Sequence, residues 1–355
     1  MSKRIKDKIL QYAASIGFSP VGITTPDFLQ IESTYLASST QAGFLADMTY
    51  AQRSPNLRLN PRSLMPEAKS VLVLGMPYCY PGMLDTHTSS AERISGYISV
   101  YARSEDYHSV IQAKLRLLLN YLREIAGNSQ IKGISCVDAT PLMERAFALH
   151  AGIGFSGKNT TLITRRHGSW VFLSELIVDI ALPTDVSLSD NCGTCDECRR
   201  ACPTGAIVEP YRLDSRLCIS YQTIENRNQP IPDTIKQAMG LRVFGCDTCQ
   251  NACSHNQHFQ PGAVSNLQPT GRLRGGWLGI ESILLIENEK MFRKMIGNSV
   301  ISRVGWRGLQ RNAAIVAGNA RAYSLKPLLE RMYSKSHDIP MLYDALSYAL
   351  DLLRK

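Results

Sequence analysis

Eight of the chain's ten cysteines fall between Cys192 and Cys253, and their spacing constrains the molecule more than any other feature. Cys192-Gly-Thr-Cys195-Asp-Glu-Cys198-Arg-Arg-Ala-Cys202-Pro203 has the form C-x2-C-x2-C-x3-C-P. Three closely spaced thiolates take three corners of one iron–sulfur cube, and the fourth cysteine, turned away by the proline, reaches a second cube. Cys246-Asp-Thr-Cys249-Gln-Asn-Ala-Cys253 repeats the pattern with one member missing. By the same crossing rule Cys253 returns to the first cluster, giving Cys192, Cys195, Cys198 and Cys253. The second set, Cys202, Cys246 and Cys249, needs one more ligand, and Cys218 is the only spare cysteine in the segment. Zinc knuckles also use C-x2-C spacing, but the three-cysteine run and the Cys-Pro ending point to two 4Fe–4S clusters. A free, buried Cys218 beside a three-ligated second cluster is the remaining arrangement.

Two clusters with crossed ligands form a path for single electrons, and the rest of the chain must provide its terminus. The expected class is mixed α+β, in three parts. Residues 1–185 read as an α/β domain, 186–260 as a ferredoxin-like two-cluster segment, and 277–355 as a helical, HEAT-like repeat. Val71-Leu-Val-Leu74 is a buried strand, and Ile131–Val137 and Ser169–Leu182 are strand-like. Ile111, Leu115, Leu118, Leu122 and Ile125 lie on one stripe, which predicts a helix over 107–126. Thr140 followed by Pro141 reads as a cap and first turn opening another helix. Gln260–Gly276 reads as a linker, and helices are expected over 284–295, 307–318, 325–333 and 341–353. No run of eighteen apolar residues appears, so no membrane span is expected, and the N-terminus reads as an amphipathic helix, not a signal peptide. The reading is therefore a cytoplasmic protein, where thiols stay reduced. The +9 formal charge suits a polyanionic partner. Cys79 and Cys136 read as buried, inert thiols. Gly152–Asn159 mimics a phosphate loop, but Asn159 replaces the magnesium-binding hydroxyl and the strand–loop–helix order is missing.

Taken together, Tyr101-Ala-Arg-Ser-Glu-Asp-Tyr-His108, Asp138-Ala-Thr-Pro-Leu-Met-Glu-Arg145, Gly157-Lys-Asn159, Gly168-Ser-Trp170, the paired cluster motifs, Cys218-Ile-Ser-Tyr-Gln-Thr-Ile-Glu225 and Arg311-Asn312 resemble the epoxyqueuosine reductases. The resemblance implies cobalamin alongside two 4Fe–4S clusters, and reduction of the epoxide of epoxyqueuosine at the tRNA wobble position to queuosine. It implies that Asp138 is the proton donor, with a pKa raised by burial beside the corrin. Cofactor contacts are expected from Arg58, Tyr101, Asp138, Lys158, Asn159, Ser220 and Gln222. The D-x-H-x-x-G motif of other corrinoid proteins is absent, since Asp85-Thr-His87 lacks the glycine. Ser104 and Ser174 stand where the family commonly has glycine. Arg303, Arg307 and Arg311, at four-residue spacing, are expected to meet phosphates of the anticodon stem-loop, with the modified nucleotide flipped toward the cobalt. A monomer fed by an external donor such as flavodoxin or ferredoxin completes the expectation. The rivals are a corrinoid reductive dehalogenase-like enzyme and a non-enzymatic two-cluster electron-transfer protein.

Overall fold

The computed structural model describes residues 3–52, 54–80, 82–84, 94–264, 267–268, 273 and 275–354. Asp85 and His87 lie outside them. The centre is an antiparallel sheet in the strand order Val21–Thr24, Ser70–Pro77, Val171–Val178, Gly133–Cys136. Every residue of Ser70–Pro77 is buried, because both sheet faces are covered, and so its sequence is continuously apolar rather than alternating. On one face Leu72, Leu74, Met76, Leu176 and Val178 meet Ile9 and Ala13 of the helix Lys3–Ser15, and Ile111, Leu115 and Leu118 of the helix Tyr107–Ile125. On the other, Val71, Val73, Cys136 and Ile177 meet Ala146, Phe147 and Ala148 of the helix Glu144–His150. Burying each such Leu, Ile, Val or Phe contributes roughly 1.5–3 kcal/mol.

The predicted helix at Thr140–Pro141 begins later, at Glu144. The Met143 amide donates to the Arg58 carbonyl at 3.0 Å and the Leu142 amide to the Thr140 carbonyl at 2.7 Å, so 138–143 stays a turn. The predicted linker is also packed where it is described: Gly262 N donates to the Cys79 carbonyl, and Val264 and Leu267 join the N-terminal core.

A second sheet joins three distant stretches. Ser95–Ile98 pairs in parallel with Arg242–Phe244 and antiparallel with Trp277–Gly279. Its core runs from Ile98 through Ile219 and Val243 into the C-terminal helices, reaching Leu309, Ile315, Leu342 and Leu346. The helix Gly305–Asn319 is tied down by three consecutive polar side chains, the last two of them to the cysteine segment. Gln310 donates to the carbonyls of Leu284 and Ile286, Arg311 to those of Gln222, Asn226 and Gln229, and Asn312 to those of Thr223 and Val243. This corrects the expectation for Arg311: it is 0% exposed and out of reach of any phosphate. The shared face also fails because Arg303 belongs to the 3-10 turn Val300–Val304, ahead of that helix. No helix among the described residues is long and apolar enough to cross a membrane.

Candidate active site

None of the ten cysteines is in a disulfide, and the eight in the segment sort by proximity into two groups of four. Cys198 feels the charges of Cys192, Cys253 and Cys195, whereas Cys249 feels those of Cys246, Cys218 and Cys202. These are the two sets that the spacing predicts, with Cys218 in the second. Cys192, Cys195, Cys198 and Cys253 line one small cavity together with Lys158 and Asn159. Lys158 Nζ donates to the carbonyls of Gly193 and Cys195 at 2.9 and 2.6 Å, and Asn159 Nδ2 to that of Cys249 at 3.4 Å. Gly157–Asn159 therefore clasps the cluster loops. The hairpin of Phe155–Ser156 with Leu162–Ile163 around it confirms that it is no phosphate loop. Cys79 and Cys136 are buried, and burial pushes both thiols up, Cys79 to about 12.

A cavity of about 800 Å³ lies between the N-terminal sheet and the cysteine segment. Arg58, Tyr101, Asp138 and Ser220 line it, as do Cys218, Tyr107, His108 and Arg303. A smaller cavity of about 260 Å³, walled by Tyr78 and Phe172, shares Tyr101, Tyr107 and Arg145 with it. Lys158, Asn159 and Gln222 are not among the lining residues. Gln222 is 4% exposed, donates to the Arg216 carbonyl and accepts from Asn226. The Gln222 amide is thus engaged inside the cysteine segment, and the Lys158 and Asn159 side chains hold the cluster loops.

Asp138 reaches the cavity through its backbone. The strand ends at Cys136, and Asp138 has φ +46°, a left-handed conformation that Asp tolerates better than most residues. The turn breaks strand alternation, so Cys136 stays in the core while Asp138 faces the cavity. The Asp138 amide donates to Glu144 Oε1 at 2.6 Å. Its Oδ2 accepts from the Tyr107 hydroxyl at 3.1 Å and lies 3.2 Å from His108 Nε2. His108 Nδ1 lies 2.7 Å from Asp106 Oδ1, and the His108 ring stacks on that of Tyr107, which stacks in turn on Phe172.

These contacts reverse the expected titration. The hydrogen bond from His108 outweighs burial and holds the Asp138 carboxyl below its ordinary value. His108 is pushed up to about 9 by its hydrogen bonds to Asp106 and then Asp138. The raised acids stand behind Asp138 instead. Burial, reinforced by the Asp138 charge, lifts Glu144 to about 8. Burial and Glu144 raise Glu175 well above its usual range. Glu175 is 0% exposed, sits in register between Val73 and Cys136, and has no hydrogen-bond partner on either carboxyl oxygen.

Sequence reasoning assigned no role to His108, Glu144 or Glu175. His108 and Glu144 do lie inside quoted motifs, which was the one available signal. At the cavity mouth Arg303 forms a two-nitrogen pair with Glu225 and, like Arg58, stands over the Tyr50 ring. Arg307, half-buried, packs on Trp306 at 3.8 Å.

The family model described as "Epoxyqueuosine reductase QueG, DUF1730" matches residues 58–139, which hold Arg58, Tyr101, His108 and Asp138. The one described as "4Fe-4S double cluster binding domain" matches residues 191–256. The epoxyqueuosine reductase of Escherichia coli K12 is 34% identical over 98% of this chain and 89% of its own length. Among solved structures, an epoxyqueuosine reductase with an epoxyqueuosine-modified tRNA-Tyr stem loop is 28% identical with a TM-score of 0.86, covering 99% of both chains. The Bacillus subtilis epoxyqueuosine reductase, solved with its catalytic aspartate loop swung out of the active site, is likewise 28% identical, with a TM-score of 0.85 and 99% coverage of both chains. The chain is an oxidoreductase with two 4Fe–4S clusters, and it belongs to the epoxyqueuosine reductase family.

Proposed function

We propose that this chain reduces epoxyqueuosine to queuosine at the wobble position of tRNA, with cobalamin in the Asp138 cavity. The observation that carries this reading is one cavity presenting both an acid and a cluster cysteine: Asp138 and Cys218 line the same space. Members of the family are cobalamin-dependent. The lining suits that cofactor, because Tyr101 and Tyr107 offer apolar surface for a macrocycle. Arg58 Nε, buried without a partner, is a donor for the cofactor's amide edge. Arg58, Tyr101 and Ser220 are the contacts this reading retains. Bound cobalamin supplies strongly reducing cobalt, and the clusters supply it with single electrons.

The chain's own residues do the rest. Cys192, Cys195, Cys198 and Cys253 hold one cluster, and Cys202, Cys218, Cys246 and Cys249 the other. Deoxygenating the epoxide breaks both C–O bonds, forms a C=C bond and releases water, consuming two electrons and two protons. Asp138 delivers protons to the departing oxygen. Arg303 at the mouth and Arg307 beside it meet the tRNA backbone. The division of labour is 1–185 for catalysis, 186–260 for electron supply and 277–355 for RNA. The work belongs in the cytoplasm with a flavodoxin or ferredoxin as donor. The test is anaerobic incubation of the reconstituted protein with cobalamin, an epoxyqueuosine-containing stem loop and a reductant, followed by nucleoside analysis. Queuosine is the expected product; unchanged epoxyqueuosine overturns the reading.

A further inference from the structure

Asp138 alone does not account for the protons of this reaction. Its carboxyl is held in the ionised form, and one carboxyl carries at most one of the two protons consumed. The missing proton has a place beside it. His108 Nδ1 faces Asp106 Oδ1 at 2.7 Å and Nε2 faces Asp138 Oδ2 at 3.2 Å. Ionised carboxylates only accept hydrogen bonds, so a ring that satisfies both must carry two N–H groups. If the ring is neutral, the extra proton sits on a carboxyl. In either case the Asp106–His108–Asp138 set holds one mobile proton beside the cavity. Asp106 also accepts from the His108 amide as the helix cap, which fixes the ring from behind.

We propose that His108 is a positioning residue that carries the protons Asp138 delivers. This rests on the functional reading above. The Nε2–H bond breaks as an O–H bond forms on Asp138, and Asp138 passes that proton to the departing oxygen. Water then recharges the ring, whose side chain is 34% exposed, for the second proton. The two electrons come through the clusters from the external donor, so the atoms and electrons of the deoxygenation balance. Facing the ring or its partner are Asp106 and Tyr107 at the helix start, Asp138 and Glu144 from the turn and helix opposite, and Arg303 across the cavity.

The test uses the reconstituted holoenzyme and an epoxyqueuosine stem loop in single turnover across pH. The wild-type rate should fall above about pH 9, where His108 loses its charge. His108→Gln, which keeps a donor near Asp138 but does not titrate, should be slower by about 10²-fold or more and lack that alkaline limb. Added imidazole should restore part of the rate to His108→Gly. Independently, the ring of His108 is titrated by NMR in cobalamin-free protein with oxidised clusters. Its midpoint should drop in Asp138→Asn and in Asp106→Asn. A His108→Gln enzyme with the wild-type rate and pH profile overturns the proposal, as does a midpoint unmoved by either substitution. A wild-type protein that forms no queuosine defeats the functional reading instead, and the NMR arm still decides whether the shared proton exists.

Discussion

The two sets of four cysteines come from the same motif yet sit in different surroundings. In the first set Cys195 is exposed, and the lysine that pins its loop carbonyl, Lys158, reaches in from the N-terminal domain. In the second, Cys218 opens onto the Asp138 cavity and Cys249 is pushed well up by burial. Two of its sulfurs lie near hydroxyls: Cys202 Sγ is 3.6 Å from Thr204 Oγ1, and Cys246 Sγ is 3.3 Å from Thr248 Oγ1. Hydrogen bonding and burial around cluster sulfurs are the means by which a protein tunes reduction potential. On the proposed function, the difference gives the electron path a direction, from the set with the exposed cysteine to the set that opens onto the Asp138 cavity.

The largest expected effect breaks this pairing at one end. Cys218→Ala should remove about four of the iron atoms and abolish queuosine formation with any reductant. Cys195→Ala should remove as many, but retain turnover with a small chemical reductant able to reach the inner cluster, while losing turnover with a protein donor. Iron analysis and nucleoside assay on both variants separate the roles; equal loss with both reductants would erase the distinction.

The inner end is sharpened at Asp138. Asp138→Asn should lower turnover by about 10²- to 10⁴-fold while leaving stem-loop binding intact. Asn accepts the left-handed backbone as readily as Asp does. Asp138→Ala adds a backbone penalty of about 1 kcal/mol, visible as a lower melting temperature that the Asn variant does not share.

What could be read from the chain follows the same contrast. Cysteine sets are local: two or three residues separate most of the ligands, so spacing alone sorted seven of the eight, and Cys218 followed by elimination. The sheet strands and the helix Tyr107–Ile125 were legible because burial imposes periodicity. The cavity was not. His108, Asp138, Glu144 and Glu175 come from a helix start, a left-handed turn, a helix and a central strand, and nothing in their spacing announces that they meet. Arg311 shows the converse failure. Four-residue spacing placed it beside Arg307 on an exposed face, but its guanidinium instead satisfies three carbonyls of the cysteine segment. Burial lowers its pKa to about 10. Arg311→Met should therefore cost about 3 kcal/mol or more of stability by stranding those carbonyls. Arg303→Ala should cost little stability and lower the salt dependence of stem-loop binding by about one unit of slope.

The smallest expected effect lies in the wall behind Asp138. Glu144 and Glu175 have folded-state pKa values raised by burial, Glu144 to about 8. A folded acid that keeps its proton longer than the unfolded chain does stabilises the fold fully below the ordinary Glu value, near 4.5. That stability is lost as pH rises toward the folded value, because the unfolded state releases its proton first. The wild type should thus lose stability between about pH 5 and 8. Glu175→Leu removes a buried acid that has no hydrogen-bond partner, and similar volume keeps the core filled. The variant should match the wild type at pH 5 and exceed it by on the order of 1 kcal/mol at pH 8. Thermal unfolding of the cluster-loaded protein at the two pH values measures the difference. Because Glu175 meets Asp138 only through Glu144, turnover should change far less than in Asp138→Asn. A Glu175→Leu enzyme as impaired as Asp138→Asn would instead make the buried acid part of the proton supply.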